Sequence, residues 1–138
     1  MELNAIGRVE SSLAQRAEAP LQGHEGAPEA WLVFEPWAAE GLHGIAAGDE
    51  LIVLTWLDRA NRDTLRVHPR GDPSNPETGV FNTRSPDRPN PIGLHTVEVL
   101  AIDGLRFRVR PLEALDGTPI VDVKPPLCQG EAGRIRGL

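Results

Sequence analysis

Short apolar runs separated by turn residues recur along the chain and set its architecture before any motif is considered. Residues 3–9, Leu-Asn-Ala-Ile-Gly-Arg-Val, read as a first strand. Residues 30–34, Ala-Trp-Leu-Val-Phe, form an unbroken apolar run of strand length. Residues 50–57 are the most hydrophobic run and predict a central strand. Residues 64–68 and 79–81 predict two further short strands. Residues 94–102 alternate and then run apolar, Asp103-Gly104 is a tight hairpin turn, and residues 105–110 alternate cleanly. That last segment puts Leu105, Phe107 and Val109 on one face and Arg106, Arg108 and Arg110 on the other. The arginine face reads most simply as solvated, with an RNA-facing stripe as the alternative. Residues 120–124 are the last strand, stopped by Pro125-Pro126. Helical spacing occurs once, over residues 36–44, with Pro36 in the first turn and Gly44 as a stop. About seven short strands with one short helix predict a mainly β protein, folded as a β-barrel or strongly coiled sheet.

Composition narrows the class. The 138 residues are enough for one domain with one packed core, and 14 glycines with 13 prolines favour turns between strands. The net charge of -6 argues against a generic nucleic-acid binder. Arginines nevertheless gather mid-chain, at Arg59, Arg62, Arg66, Arg70, Arg84 and Arg88. Cys128 is the single cysteine, which excludes an internal disulfide and fits a reducing compartment. No signal-like start and no apolar stretch of membrane-spanning length occur, so a cytoplasmic protein is expected. The four histidines, His24, His43, His68 and His95, lack paired ligand spacing, and no metal is expected. Neither a Walker loop nor a dinucleotide fingerprint is present.

Residues 79–94, Gly-Val-Phe-Asn-Thr-Arg-Ser-Pro-Asp-Arg-Pro-Asn-Pro-Ile-Gly-Leu, stand apart. Pro86, Pro89 and Pro91 each fix φ and remove a backbone donor, and each bars the preceding residue from the helical region. The segment is therefore a stiff extended loop that carries Arg84 and Arg88 and has little entropy to lose on binding a ligand. Long rigid loops are more often sites than linkers.

This run resembles the signature of the TsaA/YaeB-like family, also called TrmO, whose members methylate N6-threonylcarbamoyladenosine in tRNA with S-adenosyl-L-methionine. The resemblance is strongest over residues 49–124. It implies a β-barrel that dimerises, with the methyl-donor site near the subunit contact, and tRNA as the partner. It also implies donor contacts from Pro20, Leu21 and Gln22, from Asp58 and Arg59, from Arg84 and Leu94, and from Leu115, Asp116, Gly117 and Thr118. Leu21 stands where the family has arginine, and Asp58 where many relatives have histidine. Arg88 and Asn90, in the same loop, are expected to meet the substrate. Asp58 and Asp116 are the candidates for interaction with the reacting pair, as base or as orienting acceptor. Larger relatives append a second domain implicated in tRNA binding, and none is expected here after Lys124. A second reading therefore stands beside the first: a non-catalytic S-adenosyl-L-methionine-binding module, or a methyltransferase acting on a different substrate.

Overall fold

A computed structural model describes residues 1–14 and 27–127. Among the described residues eight strands form, β1 (Gly7–Glu10), β2 (Ala30–Phe34), β3 (Glu50–Trp56), β4 (Arg66–Val67), β5 (Thr78–Gly79), β6 (Ile92–Asp103), β7 (Arg106–Arg110) and β8 (Pro119–Lys124). Six close into an antiparallel barrel in the order β1-β2-β7-β6-β3-β8, and β4 and β5 form a separate two-stranded flap. The mainly β barrel expected from the sequence is thus present.

Alternation builds the core. Val9, Leu32, Val53, Val97, Val99, Val109 and Ile120 are completely or almost completely buried inside the barrel, and Leu112 plugs it from the β7–β8 connection. Each such side chain contributes about 1.5–3 kcal/mol on leaving water. The rings of Phe34 on β2 and Phe107 on β7 meet edge to face, with centroids 5.1 Å apart. Outside, Arg106 lies 3.0 Å from Glu10 and its guanidinium stacks 4.9 Å over the Trp31 ring. Arg110 lies 3.6 Å from Glu98. The arginine face of β7 is therefore largely matched by neighbouring acids and an indole.

Three elements differ from the sequence expectation. The first strand begins at Gly7 rather than Leu3, because pairing starts where Gly7 sits between Phe34 and Ile120. A Cβ on Gly7 would lie 2.5 Å from the Val33 carbonyl oxygen, so only glycine allows this approach. The predicted helix is a 3₁₀ helix, Pro36–Leu42, that buries no side chain. The strand anticipated at residues 79–81 stops at Gly79, and Val80–Asn82 turn as a 3₁₀ segment. Among the described residues no helix is long and apolar enough to cross a membrane.

Candidate functional site

Antiparallel pairing decides where the chemistry gathers. The end of β3 meets the start of β6 at Trp56–Ile92 and the start of β8 at Thr55–Ile120. The segments after β3, before β6 and before β8 are consequently brought to one end of the barrel. There they enclose a cleft of about 450 Å³, within the range of small-molecule sites. Leu57, Ile92, Leu94 and Leu115 give it apolar walls, and Asp58, Arg59, Arg84 and Glu113 bring charge to it.

The signature loop is held rigidly at this mouth. Val80 near its start and Pro91 near its end are fully buried. Leu57 donates its N–H to the Pro91 carbonyl at 2.8 Å, and Asn61 donates its N–H to the Asp87 carboxylate at 2.9 Å. Arg62 packs 5.1 Å over the Trp56 ring, donates through Nε to the Pro89 carbonyl at 2.7 Å, and reaches Asn90 Oδ1 at 3.2 Å. Arg88 turns back into its own loop. Its Nη2 donates to the carbonyls of Val80, at 2.6 Å, and of Thr83, and its Nε to that of Ser85 at 2.8 Å. Arg88 lines the cleft but its guanidinium is committed to the backbone, and Asn90 lies outside the lining with its side-chain oxygen engaged by Arg62.

Arg84 is different. It is exposed, lines the cleft, and makes no hydrogen bond or ion pair among the described residues. The carboxylate of Asp58, across the same cleft, is equally without a partner among them. Arg59 also lines it, with Nη1 donating to the Ala14 carbonyl at 2.7 Å, so it ties the chain leaving β1 to the cleft.

The 115–118 turn divides its residues between two tasks. Leu115 and Thr118 line the cleft, the Thr118 hydroxyl donating to the Leu115 carbonyl at 2.7 Å. Asp116 and Gly117 face a separate groove beside Arg8, Glu10 and Trp31. The Asp116 carboxylate accepts the Ser11 N–H at 3.0 Å, and Gly117, at φ 83°, donates its N–H to Val9. These bonds clamp the exit of β1. Pro20, Leu21, Gln22 and Cys128 lie outside the described residues.

Sequence reading missed the floor of the cleft. His95, 5 % exposed, bonds through Nε2 to Thr55 Oγ1 at 2.7 Å and through Nδ1 to Glu113 Oε1 at 2.5 Å. The signal was available. In the alternation of β6, His95 occupies an inward position between Gly93 and Val97, where an apolar side chain is the rule. Among the described residues no three His, Cys, Asp or Glu side chains converge to hold a metal.

A closed antiparallel barrel with an apolar-walled, charged cleft at one mouth is a small-molecule-binding β-barrel. The chain belongs to the family described as the tRNA-methyltransferase O N-terminal domain, whose model matches residues 8–129. It is 47% identical over 125 residues to an S-adenosyl-L-methionine-binding protein of Archaeoglobus fulgidus, covering 90% of this chain and 88% of that one. A probable S-adenosyl-L-methionine-binding protein of the same organism is 46% identical over 125 residues, covering 91% of this chain but 34% of that one. The crystal structure of TrmO from Pseudomonas aeruginosa superposes with a TM-score of 0.74 at 26% identity. That match covers 96% of this chain, which spans only 58% of the longer TrmO chain.

Proposed function

We propose that the cleft binds S-adenosyl-L-methionine and that the protein transfers its methyl group to a nucleoside nitrogen of tRNA, N6-threonylcarbamoyladenosine being the acceptor. One observation carries the donor assignment: the cleft sets beside apolar walls a guanidinium, Arg84, and a carboxylate, Asp58, neither of which has a partner among the described residues. That pattern is the complement of a zwitterionic amino acid joined to a flat, weakly polar base. The names of the A. fulgidus relatives and the family match support the same reading.

The residues present fit the donor. Arg84 offers a planar fork for a carboxylate, and a lysine has no such fork. Asp58 offers an acceptor to an ammonium or a charge to a sulfonium. Leu57, Ile92, Leu94 and Leu115 offer apolar walls to the space between. When bound, the donor supplies an electrophilic methyl on a good leaving group. Little is then required of the protein beyond alignment and a dry site. The fixed loop provides the alignment, since Arg62, Arg88 and the three prolines leave it few other shapes.

The test is mass spectrometry of nucleosides from tRNA incubated with the donor, with and without the protein. A new N6-methylated nucleoside is expected. Unchanged nucleosides, with calorimetry still showing donor binding, would instead make this a donor-binding module.

A further inference from the structure

We infer that Glu113 is the proton acceptor of the cleft, held in place by His95, and that the cleft therefore takes a nitrogen nucleophile that must lose a proton; this rests on the methyl-transfer reading above. Thr55, His95 and Glu113 form a hydrogen-bonded chain from the barrel interior to the cleft wall. Thr55 is fully buried, His95 nearly so, and the Glu113 side chain is 16% exposed. One imidazole nitrogen faces the Thr55 hydroxyl at 2.7 Å and the other faces Glu113 Oε1 at 2.5 Å. A carboxylate only accepts, so Nδ1 carries the proton that is donated to Glu113. Nε2 then either accepts from or donates to the threonine. In neither case does the ring keep a lone pair for a substrate, so His95 is a positioning residue rather than the base.

Glu113 has what the other acids of the region lack. Asp58 is exposed, and Asp116 lies outside the cleft with its carboxylate on the Ser11 N–H. Glu113 lines the cleft with Oε1 fixed by His95, while Oε2 makes no hydrogen bond among the described residues. A mostly buried carboxylate with one oxygen anchored and one open is arranged to receive a proton. Gly93 keeps the arrangement possible. A Cβ there would stand 2.4 Å from Thr55 Oγ1 and 2.7 Å from His95 Nε2.

The chemistry calls for such a group. The lone pair of an acylated, urea-type nitrogen is drawn into its carbonyl, which makes it a poor nucleophile until its proton departs. In the step proposed, the N–H bond breaks and its proton passes to Glu113 Oε2. The pair released on nitrogen forms the N–CH₃ bond. The methyl–sulfur bond breaks and its pair stays on sulfur, which becomes a neutral thioether. The negative carboxylate and the positive sulfonium are both neutral at the end, so charge balances. A nitrogen without a hydrogen has no proton to give this site.

The experiment compares wild type, Glu113→Gln, Glu113→Ala and His95→Ala. Donor affinity is read by calorimetry, and methyl transfer to tRNA bearing N6-threonylcarbamoyladenosine is read separately. Glu113→Gln is expected to lower kcat by about 100-fold or more while donor Kd stays within about three-fold, which also reports an intact fold. Glu113→Ala is expected to regain part of its rate when formate is added. His95→Ala is expected to lose kcat with KM for the donor unchanged. Three results each overturn the inference: wild-type kcat in Glu113→Gln, a loss of donor affinity parallel to the loss of rate, or no response of Glu113→Ala to formate. Donor binding without transfer by the wild type defeats the methyl-transfer reading itself and takes this inference with it.

Discussion

Replacing Arg88 by methionine keeps an unbranched apolar stem and removes the guanidinium. Three charge-assisted hydrogen bonds are lost with it, to the carbonyls of Val80, Thr83 and Ser85. Bonds to charged groups are worth about 1.5–3 kcal/mol each in favourable settings, but these carbonyls lie in a half-buried loop and partly regain water. About 1 kcal/mol per bond is therefore a fair net value, or about 3 kcal/mol in all. For a domain of this size that lowers Tm by about 10 °C. Thermal melting of the ligand-free protein checks the total, and amide hydrogen exchange at residues 83–87 checks that the loop is what loosens. Arg88→Met with wild-type melting and wild-type exchange, but weakened donor binding, would refute the structural role. Arg88 would then be a contact of the donor rather than a brace of the loop.

The neighbouring substitutions separate the roles further. Arg84→Ala is expected to leave ligand-free melting unchanged, since nothing among the described residues leans on the guanidinium, and to weaken donor binding about ten-fold or more by calorimetry. Gly93→Ala is expected to destabilise by about 2 kcal/mol or more in urea titration, because its methyl would collide with the Thr55–His95 bond; a variant as stable as wild type would show that this bond does not constrain the mouth. The protein is expected to be a homodimer by light scattering with donor present, and a strict monomer at working concentration would count against a site shared between subunits.

Period-two alternation in residues 105–110 and the strand-length apolar runs at 30–34 and 50–57 were strong enough to reveal a β protein, and β2, β3 and β7 lie within a residue of the expected bounds. Closure was not legible from pattern, because the pairing of β1 with β8 joins segments whose partners are set by three-dimensional packing. The stiffness of the signature loop followed from its prolines alone. Which of its two arginines is bonded among the described residues did not, since that depends on how the carbonyls of Val80, Thr83 and Ser85 are presented to Arg88. Asp58, Arg59, Arg84, Leu94, Leu115 and Thr118 line one cleft. Asp116 turns its carboxylate to the chain leaving β1 because Gly117 adopts a left-handed conformation that only glycine takes easily. His95 and Glu113 escaped notice because they are distant in sequence and become partners only when β6 and the β7–β8 connection are side by side.

The seam between β1 and β8 also governs when this molecule can come into being. Its two strands lie near opposite ends of the chain, and Ile6 and Ile120 are joined by a backbone hydrogen bond of 2.9 Å. During synthesis, every earlier strand emerges before the partner that completes the ring. Until β8 is available, β1 and β3 each present an unpaired edge, the kind of edge that recruits other chains. Non-local closure of this sort places folding in the millisecond-to-second range rather than the microsecond range. The segment 113–118, which supplies one wall of the cleft, is threaded immediately before that last strand. Ligand affinity in a nascent or truncated chain is thus a direct readout of ring completion, appearing only once β8 has docked.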